Sequence, residues 1–159
     1  MRVTIFTSVL VRADNLCESM RARSFEKLPV WRRSVDLVVA VYRVSNLFPA
    51  EEKSGMTATL RRSAAAIPAK IADGHGRPEP ADVRKSLTDV LGSLRELRTH
   101  ILVAERLHFV RRMRTSRVHW RINRLRRMVQ RDVASLEPEA RDPVAAKSKP
   151  IEGHLRKAA

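Results

Sequence analysis

Apolar residues recur at helical spacing through most of the chain. The longest line reads Val83, Leu87, Val90, Leu94, Leu97, Ile101 and Ala104, spaced 4-3-4-3-4-3, which lays one seam along an uninterrupted helix. A helix with that seam needs partners. The preceding stretch predicts a helix from about Glu51 to Asp73, with Met56, Leu60, Ala64, Ile67 and Ile71 as its apolar line and Gly74 as a left-handed stop. Its small-residue block, Ser63 to Ala69, lets another backbone come close. Pro68 removes the amide that would bond the Ala64 carbonyl, so a kink is expected there rather than a break. Gly92-Ser93 is the expected counterpart for that closeness, offsetting the roughly 1 kcal/mol that a mid-helix glycine costs.

A first helix should follow Pro29 and run to about Phe48, before Pro49. On a helical wheel Trp31, Val35, Val38 and Tyr42 form one stripe. Val30, Leu37, Val41, Val44 and Phe48 form a second, with Arg32, Asp36 and Arg43 on the remaining side. An arc this wide either packs a third neighbour within the chain or forms a subunit interface. The expectation is the interface, built on Leu37, Val41, Val44 and Phe48. The third helix opens at Pro80 and ends near Leu107 to Val110. The fourth follows Thr115-Ser116, with Val118, Ile122, Leu125, Val129 and Val133 inward. Four such helices with short connections predict an all-α, antiparallel up-down bundle.

The bundle should occupy residues 24–136. Residues 1–23 read as a disordered extension, and translation starting at Met20 is an equally physical reading; the apolar run from Val3 to Val11 lacks the cleavage pattern of a signal peptide. Residues 137–159, with Pro138, Pro143, Pro150 and Gly153 and no periodic apolar face, read as a disordered tail carrying both signs of charge. The chain holds 32 Lys+Arg against 17 Asp+Glu, a net charge of +15, which attracts nucleic acid, anionic membrane or acidic protein; sign alone does not choose among them. The lone Cys17 excludes an intrachain disulfide framework, so a reducing cytoplasm is the simplest compartment. The longest apolar stretch, Leu37 to Tyr42, is far short of the roughly 20 residues of a membrane span.

Several segments together resemble a known family: Leu28-Pro29-Val30-Trp31, Phe48-Pro49-Ala50-Glu51-Glu52, Leu60-Arg61-Arg62-Ser63-Ala64, Ile67-Pro68, Ile71 to Arg77, and Leu91 to Leu97. In order and spacing they are similar to the 23S ribosomal RNA intervening-sequence proteins over about Phe25 to Leu136. The resemblance implies a left-handed up-down bundle assembled into a ring-like homo-oligomer, a homopentamer, with no known enzymatic activity. It also implies a likeness to the basic accessory protein of diversity-generating retroelements, which engages a reverse transcriptase and nucleic acid. Lys70 and Arg98 depart from the family pattern and make this chain more basic.

The charge concentrates between Arg111 and Arg131, which holds nine arginines and no acid. Arg117, Arg121, Arg124 and Arg131 line one flank of the fourth helix beside its apolar stripe, with Arg127 adjoining. Guanidinium forks match phosphate oxygens bidentately and would hold a sugar-phosphate backbone without reading sequence. Trp120 falls outside the inward stripe and is the one aromatic placed to touch a nucleobase; a subunit contact is its alternative. Glu105-x-x-His108 has di-iron spacing but stands as a single copy, and Glu96 and His100 read as a solvated pair. His119 has no acid within helical reach, and no Ser/His/Asp or Cys/His set can be assembled. Neither metal, cofactor nor catalysis is therefore expected. The leading reading is a non-enzymatic homo-oligomeric adaptor binding RNA or DNA beside a protein partner; the alternative is a regulatory module docking an acidic protein.

Overall fold

The computed structural model describes residues 24–136; the extension with Cys17 and Met20, and the tail with His154, lie outside the described residues. Within them the chain is all-α with no strand. Four long helices, α1 (Pro29–Ser45), α2 (Met56–His75), α3 (Pro80–Arg106) and α4 (Arg112–Ser135), are joined by short connections and two 3-10 turns, Phe25–Lys27 and Ala50–Lys53. Each helix packs on its neighbours in sequence and α1 also packs on α4, so the packing closes into a cycle around one core. No helix among the described residues is long and apolar enough to cross a membrane.

The heptad is that core's spine. All seven of its residues are buried, from Leu97 at 0% exposure to Val83 at 3%. Leu60, Ala64, Ile67 and Ile71 of α2 and Val118, Ile122, Leu125 and Val129 of α4 face it. Helix α2 runs unbroken through Pro68. Prolines also set the boundaries: Pro29 and Pro80 occupy first turns, where the missing amide is no loss. Helix α1 stops at Ser45, short of the expected Phe48. Pro49 disfavours helical geometry at the residue before it, and Leu47 and Phe48 bond instead to the Val44 and Ser45 carbonyls in tight turns. Gly55 separates the turn at Ala50–Lys53 from α2, whose first amide is bonded by the Glu52 carboxylate at 2.9 Å. The end of α3 is a left-handed cap at His108, φ 58°: the Phe109 amide bonds the Ala104 carbonyl at 3.0 Å and the His108 amide that of Glu105 at 3.1 Å.

Two sequence expectations are corrected here. Leu37, Val41, Val44 and Phe48, expected at a subunit interface, are buried within the protomer, at 0%, 1%, 8% and 9% exposure. Of the other stripe, Trp31 and Val38 also pack against the core and Tyr42 is 43% exposed; Val39, which belongs to neither stripe, is 45% exposed. The close helix approach also lies elsewhere than expected. A Cβ built on Gly92 would meet nothing within 4 Å, whereas one on Gly74 would lie 2.8 Å from the Ser86 Cβ. Gly74 is thus a contact between α2 and α3, and the helix continues past it to His75. Gly92→Ala is expected to stabilise the fold by about 1 kcal/mol, and Gly74→Ala to destabilise it by about 1–3 kcal/mol, read as opposite shifts of the urea midpoint. Equal shifts of one sign would contradict the packing.

Candidate nucleic-acid interface

Helix α4 combines a narrow apolar stripe with an arginine-dense remainder. It does not begin after Thr115-Ser116, as their place in the sequence suggested. Its first turn begins at Arg112, and the buried Thr115 hydroxyl is bonded to the Glu105 carboxylate and, at 2.9 Å, to the Arg112 carbonyl. That contact ties the first turn of α4 to the end of α3.

Arg117, Arg127 and Arg131 are exposed, and Arg121 and Arg124 are half-buried. Among the described residues none of the nine arginines from Arg111 to Arg131 comes within 4.0 Å of a carboxylate; the ion pairs are Arg33–Asp36, Arg77–Asp73 and His119–Glu105. The Arg121 Nε is buried with no hydrogen-bond partner among the described residues. Asp132 is the lone acid of α4; burial pushes its carboxyl up, against the pull of Arg131.

The structure gathers Arg117, Trp120 and Arg121 with Ser116 around an open depression of about 480 Å3. Trp120 is 52% exposed, and the Arg124 guanidinium stands 5.2 Å from its ring centroid. Arg131 bonds the Arg127 carbonyl at 3.3 Å and continues the flank one turn on. A second depression of similar volume lies between α4 and α1, lined by Asp36, Val39 and Arg43 of α1 and by Met113, Arg114, Arg117 and Arg121 of α4. Sequence reasoning missed the contribution of α1. It had assigned Asp36 and Arg43 to a polar side, and only the packing of α1 against α4 turns that side toward the arginine flank.

Two polar clusters correct the sequence reading further. His119 does have an acid: its Nε2 lies 2.8 Å from a Glu105 oxygen across the α3–α4 turn. Ser63, Glu96 and His100 also meet across α2 and α3, the hydroxyl donating to Glu96 at 2.9 Å with the His100 Nδ1 3.4 Å away. The serine there bonds the carboxylate directly, whereas nucleophile activation needs the histidine between the two. No group of three or more metal-ligating side chains occurs among the described residues.

Burial raises the Glu105 carboxyl, but the hydrogen bonds from Thr115 and His119, with the charges of His119 and Arg112, outweigh it and hold the group below its ordinary value. A carboxyl depressed in the fold stabilises it above its unfolded pKa and ceases to as pH falls through the folded one. Glu105→Gln is therefore expected to cost about 1–2 kcal/mol at neutral pH, with the gap to wild type closing as pH drops below about 4.5. Urea midpoints across pH check this; a gap independent of pH would contradict it.

A sequence model of the family described as 23S rRNA-intervening sequence protein matches residues 26–131. No curated protein matches the chain.

Proposed function

The chain belongs to the 23S rRNA-intervening sequence protein family, and on that premise we propose that it is a non-enzymatic, homo-oligomeric adaptor whose α4 arginine face holds the backbone of RNA or DNA. One observation carries the reading: Arg117, Arg121, Arg124, Arg127 and Arg131 share an outer flank of one helix and, among the described residues, none is neutralised by a carboxylate. Charge in this arrangement attracts a polyanion of matching length. Guanidinium groups without acid partners need not break an existing pair to take up phosphate.

The proposed bundle is up-down and left-handed, and the proposed assembly is a ring of copies, five in the form that the family resemblance implies. Its contact is assigned to the outward side of α1, where Val39 and Tyr42 are exposed, since Leu37, Val41, Val44 and Phe48 are taken up by the core. A protein partner acting on the same nucleic acid, of the reverse-transcriptase class, fits this role, in the cytoplasm.

The test is anisotropy of labelled RNA and DNA strands of unrelated sequence, titrated with full-length protein at low salt. Binding with little dependence on sequence is expected, because guanidinium groups that hold phosphates contact a backbone that is the same in every sequence. Failure to bind at low salt would give the lead to an acidic protein partner.

A further inference from the structure

A face that only holds phosphates has no use for an exposed indole. Yet Trp120, in a chain where aromatic residues make up 4%, is 52% exposed among the arginines. The Arg124 guanidinium stacks over its ring at 5.2 Å, which orients the indole from one side. The adjoining open depression of about 480 Å3 is lined by Trp120 together with Ser116, Arg117 and Arg121, so the indole shares it with two of the arginines proposed to hold phosphate. One of these, Arg121, carries a buried Nε that lacks a partner among the described residues.

We infer that Trp120 is a stacking platform for an unpaired nucleobase, making the α4 face selective for single-stranded over double-stranded nucleic acid. The inference rests on the backbone-binding reading above and specifies its substrate. In a duplex the faces of the bases are stacked on one another and only phosphates and groove edges are presented. A single strand can turn a base onto the indole while Arg117 and Arg121 hold the flanking phosphates. Stacking accepts any base, since every base has a π-face, so selectivity for strandedness comes without selectivity for sequence.

The test uses full-length protein carrying Trp31→Phe, which leaves Trp120 as the one tryptophan. Three probes of about twelve nucleotides are titrated: oligo-dT, an abasic strand of equal length and charge, and a duplex. Oligo-dT is expected to bind about 5- to 100-fold more tightly than the abasic strand and to quench Trp120 emission, which the abasic strand and the duplex leave unchanged; quenching by the duplex as deep as by oligo-dT would contradict selectivity for single strands. Trp120→Ala should erase that preference and Trp120→Phe retain most of it. Equal binding of oligo-dT and the abasic strand, or a preference surviving Trp120→Ala, would overturn the platform while leaving backbone binding in place. If none of the probes binds at low salt, both readings fall.

Discussion

Leu37→Ala is expected to lower the thermal midpoint by roughly 10–20 °C, the equivalent of about 2–5 kcal/mol for a leucine truncated in a closed core. Leu37 has no exposed surface and lies in the same core as Leu60, Ile67, Leu97 and Leu125. Truncation there removes two methyl groups and the methine carbon that bears them, and leaves a cavity that the packed helices cannot easily close. Val39 lies two residues further on α1 and is 45% exposed. Val39→Asp is expected to leave protomer stability within about 0.5 kcal/mol, as surface substitutions usually do, and to reduce the mass seen by light scattering if the outer side of α1 joins copies. Calorimetry and light scattering on the two variants separate the roles. A stable Leu37→Ala protein that falls apart into monomers would return that residue to an interface.

The same pair of positions shows what periodicity can and cannot reveal. The α3 seam was legible because seven apolar positions at heptad spacing leave one way to face a core, and all seven are buried. Helix α1 presents apolar residues around most of its circumference, and a wheel does not say which stripe turns inward. Ser34 and Ser45 blurred it further: both are buried on the core side, with hydroxyls that bond the Trp31 and Tyr42 carbonyls of their own helix. That local bonding lets serine sit where a pattern search expects an apolar residue.

Close approach was misplaced for a related reason. Gly92 and the small-residue block looked complementary by composition, but it is Ser93 that turns inward, where its hydroxyl accepts a hydrogen bond from the Lys70 ammonium at 2.7 Å. The placement of the arginines beside the apolar stripe was legible, since it needs only the period of one helix and the position of that stripe; that Arg121 and Arg124 are half-buried was not. The Glu105–Thr115–His119 contact was not, because it depends on how sharply the chain turns at the left-handed His108. The neighbourhood of Arg43 depends likewise on which helix closes the cycle against α4.

The second large effect is expected from changing Arg117, Arg121 and Arg124 together to Gln. Each phosphate neutralised releases counterions, so log affinity falls linearly with log salt, with a slope of about −0.7 per neutralised phosphate on single strands and about −0.9 on duplex DNA. Removing all three guanidinium groups should flatten the slope by roughly two to three units and weaken binding on the order of 100-fold at about 0.1 M salt. Arg124→Gln also removes the cation over Trp120, so part of the weakening on single strands comes from a less ordered indole. Folding should hardly change, because none of the three is in a salt bridge among the described residues and all lie outside the buried stripe of Val118, Ile122, Leu125 and Val129.

The most direct measurement is the salt dependence of oligonucleotide affinity for wild type and this triple variant side by side, with oligomeric mass and helicity recorded on the same samples. Phosphate binding by the α4 flank predicts a steep wild-type slope and a variant slope flatter by roughly two to three units, at unchanged mass and helicity. Identical slopes for the two proteins would contradict it.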